Sequence, residues 1–257
     1  MERNLVPLGL TALVAAAFCG SLLANPSDNP PSITPVQAQA RLVEGNRRFV
    51  IGKPARPNQD PSRRAALAKV QKPFATVLSC SDSRVPVEII LDQGIGDVFV
   101  VRVAGNVADT DEVGTVEYGV GHLGTPLLVV LGHTGCGAVT AVLEGAEVHG
   151  SIPQLVDNIA PAVSKARAAN PAASELLREA IRANIWTSVE DLFLRSAEIR
   201  GRVKAGRLAV VGALYDLESG GVAWLGQHPE QARLLEGRSR PADVTRAEPA
   251  PRLQPKS

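Results

Sequence analysis

The sequence predicts an α/β domain built on a mostly parallel central sheet, and three observations lead there. Four short runs, at 74–79, 97–103, 127–131 and 207–214, are dense in Val and Leu with few polar interruptions, the pattern of strands covered on both faces. Helical patterns fill the segments between them, giving a β-α-β alternation. Two runs end abruptly in reactive groups, with Cys80, Asp82 and Arg84 after the first and His133 and Cys136 after the third. Ligand sites in open α/β sheets lie at such strand ends. The expected architecture is about four parallel strands, an antiparallel edge strand, helices on both faces and an N-terminal helical arm.

The 257 residues, 45% apolar and 21% charged, suit one globular domain with an extension at each end. A net charge of +1 gives no basis for nucleic-acid or anionic-membrane binding, and 4% aromatic residues leave little for ring stacking. Arg3, the apolar run 8–23, and Ala24 before Asn25-Pro-Ser-Asp-Asn-Pro-Pro31 have the order of a secretory signal. Residues 1–24 are therefore read as a signal peptide cleaved near Ala24, with export to the periplasm and no membrane attachment afterwards. An uncleaved anchor is the alternative. Cys19 is a poor lipidation site because bulky Phe18 precedes it.

Residues 25–33 form a Pro- and Asn-rich flexible lead-in, and the domain is expected over 34–226. Thr34-Pro35 reads as an N-cap followed by a first-turn proline, opening a helix over 36–49 with Leu42, Val43 and Phe49 buried. An irregular wrap punctuated by Pro54, Pro57 and Pro61 precedes a short helix over 62–70. Val113, Val116, Val120 and Leu123 keep helical spacing, and Gly114, Gly119 and Gly121 would let that helix approach a neighbour closely. Two long helices follow, over 152–168 and 172–199, and the mixed-charge stretch 190–204 reads as a solvated face. Gly220-Gly221 suggests a hairpin into an edge strand at 222–225. From residue 227 the Pro-, Arg-, Glu- and Gln-rich chain reads as a disordered tail.

Once the signal is gone, Cys80 and Cys136 are the remaining cysteines. On count alone an exported pair reads as a disulfide. A structural bridge, however, has no use for Asp82 and Arg84 beside one sulfur or for His133 three residues before the other. A zinc site uses all of them. His133-Thr-Gly-Cys136 sets two ligands on one tight turn, with Gly135 supplying backbone freedom. Three ligands leave a position for water, as a catalytic zinc requires. Zinc draws the pKa of its water from ~15.7 to ~7, and two thiolates would weaken that pull. Asp82 can accept a hydrogen bond from the hydroxide and orient it, while Arg84 can hold Asp82 by a bidentate pair. Without Arg84, Asp82 would be free to swing in as a fourth ligand.

Cys80-Ser-Asp-Ser-Arg84, Arg102 within Phe99-Val-Val-Arg-Val-Ala-Gly-Asn106, Gly132-His-Thr-Gly-Cys-Gly137 and Val211-Gly-Ala-Leu-Tyr-Asp-Leu217 together resemble the β-class carbonic anhydrases. The resemblance runs from the Leu42-x-x-Gly-Asn-x-Arg-Phe49 helix to about residue 225. It implies reversible hydration of carbon dioxide to bicarbonate and a proton by zinc-bound hydroxide, with one Zn2+ per chain held by Cys80, His133 and Cys136. Asp82 and Arg84 match the family's catalytic dyad, and Gly137 matches the position whose N–H helps hold bicarbonate. Gln71, Phe99 and Tyr118 match the substrate pocket of the plant-like branch; plain core packing is the competing reading of the two rings.

Members inhibited by bicarbonate resemble one another in a Trp three residues before the first cysteine ligand. Here that residue is Val77, so the open, water-accepting form is expected. The resemblance further implies a homodimer or homotetramer with pocket walls from two chains. Among the other histidines, His122 reads as structural, His149 as a loop residue able to relay protons, and His228 as part of the tail. Hydrolysis of carbonyl sulfide or carbon disulfide on the same fold is the rival activity, and a zinc-binding or disulfide scaffold without catalysis is the rival class.

Overall fold

The computed structural model of the chain describes residues 33–237. The expected signal peptide, the lead-in up to residue 32 and residues 238–257 of the expected tail lie outside the described residues.

Helix α1 (Pro35–Val50) begins where the sequence places it. Thr34 Oγ1 accepts from the Gln37 N–H while the Gln37 side chain takes the Thr34 N–H, a reciprocal cap that satisfies two otherwise unpaired donors. Its buried face is Ala38, Leu42, Gly45 and Asn46, at helical spacing. Val43, expected inside, lies off that face and is 42% exposed. The face packs so closely that a Cβ on Gly45 would lie 1.8 Å from Leu91 O, and bulk is excluded there. Asn46 fastens the helix, donating to Ile90 O at 3.0 Å and Gly220 O at 2.9 Å and accepting from Val222 N at 2.9 Å.

The elements that follow are α2 (Pro61–Leu67), β1 (Ala75–Cys80), α3 (Val87–Ile90), β2 (Val98–Val103) and α4 (Thr110–Glu117), which continues as a wider π-type turn over Tyr118–His122. Then come β3 (Leu127–His133), α5 (Gly137–Glu144), α6 (Ile152–Asp157), α7 (Ala160–Ala168), α8 (Leu176–Arg195), α9 (Ala197–Lys204), β4 (Ala209–Tyr215), β5 (Val222–Gly226) and α10 (Gln231–Leu235).

The sheet has the order β2-β1-β3-β4-β5, parallel through the first four strands, with β5 antiparallel on β4. Every residue of β1 and β3 is buried, which is why both read as largely apolar runs with few polar interruptions. Alternate residues serve the two faces. Leu78, Cys80, Leu128, Val130 and Val210 join the core beneath α4, α5, α7 and α8, while Ala75, Val77, Val129, Leu131 and Val211 join the core beneath α1 and α3. The chain leaves β1 toward β2 on one side, and β3 returns on the other. The crevice at the carboxyl ends of β1 and β3 is therefore the topological switch point of the sheet.

Both long helices expected from the sequence are divided. Pro161 falls in the first turn of α7 and cannot continue the preceding helix. Ser196 is extended (φ −110°, ψ 110°); its Oγ caps α9 by accepting from Ile199 N and donates to Glu117 at 2.6 Å. The stretch 190–204 is also not a solvated face, because Glu190, Asp191 and Arg202 are buried. Lys165 Nζ lies 2.6 Å from Glu190 Oε2 and His228 Nε2 lies 3.3 Å from Glu190 Oε1, so partners from α7 and the C-terminal segment pair this charge inside the protein. Arg202 reaches Glu198 at 2.6 Å and Gly121 O at 2.7 Å. Nor does order end at residue 227: α10 folds back with Leu234 fully buried, and His228 is buried with it.

Of the three glycines expected to permit close packing, Gly114 faces open space, whereas a Cβ on Gly119 would lie 2.5 Å from Thr76 Oγ1 and 2.8 Å from Phe99 Cδ1. Thr76 cannot withdraw freely, because its hydroxyl is bonded to Thr125 Oγ1 at 2.7 Å inside the core. Gly119→Ala is therefore expected to destabilise the fold by about 1–3 kcal/mol despite alanine's better helix propensity. Thermal unfolding checks this, and an unchanged or raised Tm would contradict the packing described.

Candidate metal centre

The two strand ends at the switch point deliver the predicted trio. Cys80 closes β1, His133 closes β3, and Cys136 caps the N-terminus of α5 after a turn in which Gly135 adopts φ 62°. Only glycine takes that left-handed angle without strain, so the turn that brings both ligands to one point depends on it. The three ligand atoms lie within 4.8 Å of one another and all three residues are buried. Both cysteines are free thiols, so the disulfide that their count alone suggests is not formed.

The donor set fits a metal ion. His133 Nδ1 sits 2.9 Å from Thr134 O, which fixes the proton on Nδ1 and turns the Nε2 lone pair into the pocket. There Nε2 is fully buried and without a hydrogen-bond partner among the described residues. Such an orphaned acceptor costs free energy unless something binds it. Thr134 is itself fixed, donating its N–H to Tyr215 O at 2.9 Å and accepting from Leu217 N at 3.0 Å on Oγ1. The two thiols interact directly: a hydrogen bond from Cys136 lowers the Cys80 pKa against the effect of burial, helped by the N–H groups of Asp82 and Gly105. The same bond, with burial adding, raises that of Cys136. Two adjacent buried sulfurs thus share a proton, which a soft or borderline cation would displace.

Asp82 lies at the rim of the trio. Arg84 donates to it through Nε at 2.9 Å, Nη2 at 2.7 Å and its backbone N–H at 2.9 Å. The guanidinium bonds hold the Asp82 carboxyl well below the usual carboxylate range, outweighing burial, and the backbone bond adds to them. Asp82 Oδ2 stays 3.8 Å from His133 Nε2, beyond hydrogen-bonding distance. Arg84 Nη2 also donates to Gly135 O at 3.3 Å, tying the dyad to the ligand turn. Val77 is buried in β1 among the core residues on the α1 side.

Gly137 opens α5 beside Cys136, and a Cβ there would meet nothing within 4 Å, leaving room at the helix N-terminus. The remaining pocket residues are not brought to the trio within one chain. Gln71 precedes β1, at the strand end opposite Cys80, and is exposed. Phe99 pairs with Thr76, four residues before Cys80 and so ~13 Å back along the strand. Tyr118 is 45% exposed and packs on Phe99 with ring centroids 5.9 Å apart. His122 is exposed, stands at the end of the π-type turn that closes this helix, and stacks on Tyr118 with ring centroids 4.8 Å apart. His149 is exposed in its loop.

Sequence reasoning assigned no role to Arg102, whose Nε donates to Cys80 O at 3.0 Å and Nη2 to Asp82 O at 2.6 Å, clamping the loop that carries both. A lone arginine in an otherwise apolar strand was the available signal. Asn184 was also missed, and nothing in its local sequence marks it, while Gly105 lay inside the Phe99–Asn106 motif without a role being given to its backbone.

Fold and donor set define an open α/β protein in which three converging residues could hold one metal ion, with an ionised carboxylate poised beside them. Comparison with known proteins makes this specific. Residues 75–222 match the family model described as carbonic anhydrase. The chain is 43% identical over 194 residues to "Carbonic anhydrase 2" of Mycobacterium tuberculosis, covering 74% of this chain and 92% of the relative. It is 43% identical over 196 residues to the carbonic anhydrase of Mycolicibacterium smegmatis, covering 75% of this chain and 94% of that one. Among solved structures, the β-carbonic anhydrase CafA of Aspergillus fumigatus superposes with a TM-score of 0.62 at 27% identity, over 74% of this chain and 90% of the other. The protein belongs to the carbonic anhydrase family, in its β class.

Proposed function

We propose that the protein is an exported zinc enzyme that interconverts carbon dioxide and water with bicarbonate and a proton, using Cys80, His133 and Cys136 as ligands and Asp82 with Arg84 as its working dyad. The observation that carries this reading is the orphaned His133 Nε2 converging with two free thiols beside a carboxylate held off by arginine. Zinc bound there supplies a Lewis acid that brings the pKa of a coordinated water to ~7. Asp82, ionised and turned by Arg84, accepts a hydrogen bond from the attacking oxygen and aims its lone pair at the carbon of carbon dioxide. The Gly137 N–H at the start of α5 holds an oxygen of the bicarbonate product, aided by the partial positive charge of the helix N-terminus. Arg102 keeps the Cys80–Asp82 loop in place throughout.

Gln71, Phe99 and Tyr118 serve the pocket of a second copy of the chain, which supplies apolar walls and an amide donor to this one. We therefore propose a homodimer or a homotetramer as the working form. Export rests on Arg3, the apolar run 8–23 and Ala24.

Isolation of the protein from the periplasmic fraction tests all of this. The mature chain should begin near Asn25, elute at two or four times the mass of one chain, and hydrate carbon dioxide far faster than it consumes carbonyl sulfide or carbon disulfide. A full-length cytoplasmic chain refutes export, a monomer at full activity refutes the shared pocket, and turnover of a sulfur analogue without carbon dioxide hydration refutes the reaction.

A further inference from the structure

The two sulfurs of the metal centre are buried, and a buried thiolate needs hydrogen-bond donors to be stable. Backbone N–H groups supply them. The Asp82 N–H serves Cys80, and those of Ala138 and Val139, in the first turn of α5, serve Cys136. These donors stand two or three residues from the ligand they serve and are placed by the ligand loops themselves. One donor is not: the Gly105 N–H, 3.3 Å from Cys80 Sγ, comes from the turn that follows β2.

That turn is held from outside. Gly105 has φ 72° and Asn106 φ 46°, two consecutive left-handed residues that no strand or α-helical ladder would fix. A side chain at Gly105 would be strained at this positive φ, and its Cβ would press on Ile159 Cδ1 at 2.6 Å. Asn184 of α8, 1% exposed, donates from Nδ2 to Gly105 O at 2.6 Å. The facing carbonyl sets the orientation of this amide, because the reverse one would oppose two oxygens. Helix α8 is a firm support: Ile185 packs so tightly on β3 that a Cβ on Gly132, the residue before ligand His133, would lie 2.7 Å from Ile185 Cγ1.

We infer that Asn184 is a positioning residue for the metal centre: by holding Gly105, it keeps the Gly105 N–H on the Cys80 sulfur and so lowers the charge this thiolate donates to a bound cation. The inference rests on the zinc reading above. Its chemical consequence is specific to a two-thiolate site, in which strong sulfur donation would otherwise blunt the acidity that the cation confers on water. An N–H···S bond withdraws part of that donation.

The test uses the whole protein loaded with 113Cd, with Co2+ and with zinc. In the 15N-labelled, 113Cd-loaded wild type, the Gly105 amide proton should show scalar coupling to cadmium across the N–H···S bond. Asn184→Ala should abolish that coupling, move the sulfur-to-cobalt charge-transfer band to longer wavelength, and weaken zinc binding about tenfold in chelator competition. Asn184→Leu, which preserves volume but has no donor, should do the same and stands in if the alanine variant fails to fold. Ser188→Ala removes a buried hydroxyl bonded to Asn184 O at 3.0 Å, one turn along the same helix, and should leave all three readouts unchanged. Metal uptake without coupling at Gly105, or Asn184 variants with an unmoved band and wild-type zinc affinity, overturns the inference alone. A wild type that takes up none of the three metals overturns the zinc reading and this inference with it.

Discussion

Replacing His133 by alanine is expected to leave the protein without bound zinc and to lower kcat/KM for carbon dioxide hydration by at least about a thousandfold, toward the uncatalysed rate. Cys80→Ala and Cys136→Ala should behave alike, because the proposed site draws on three donors among the described residues and two would not retain the ion. The sheet should survive. The His133 backbone remains paired with Tyr215 in the β3–β4 ladder, and the substitution removes an imidazole whose Nε2 has no hydrogen-bond partner among the described residues. Zinc per chain by elemental analysis, with circular dichroism on the same samples, checks this. A variant that keeps one zinc and its activity would remove His133 from the ligand set.

The second large effect is expected at Asp82. Asp82→Asn keeps the shape of the side chain but deletes its charge, and it turns an amide N–H toward a guanidinium that now donates at 2.7 Å. The pair should break and Arg84 should be released toward solvent. Zinc should stay at one per chain, since Cys80, His133 and Cys136 offer three donors of their own while Arg84 engages both carboxylate oxygens of Asp82. Turnover should fall by about 10²–10⁴, the range in which positioned proton acceptors contribute. Comparison of kcat with zinc content separates the two roles, and an unchanged kcat would end the dyad assignment.

The parts of the molecule that were legible in the sequence are those with local signatures. Largely apolar runs mark β1 and β3 because both faces of those strands are covered, and the reactive residues at their ends mark the candidate ligands. Thr34 and Pro35 mark the start of α1, and the cap they open is closed by Gln37 within four residues. What was not legible depends on partners remote in the chain. Glu190 reads as a surface charge until Lys165 and His228 are placed around it. Val43 and Leu42 are equivalent in sequence, and only the approach of Leu91 to Gly45 shows which face of α1 turns inward. Asn184 lies on an unremarkable helix, and its tie to Gly105 spans 79 residues. Gln71, Phe99 and Tyr118 were recognisable as pocket residues by resemblance, yet one chain places none of them beside its own metal ligands.

The central claim, that zinc on Cys80, His133 and Cys136 drives carbon dioxide hydration, is tested most directly by titration. The protein is stripped with a chelator under reducing conditions, and Zn2+ is added back stepwise while the initial hydration rate is followed by stopped flow. The account predicts a rate that starts at background, rises in proportion to zinc and breaks at one ion per chain. A stripped protein already at full rate, or a fully loaded one that hydrates no carbon dioxide, would contradict it.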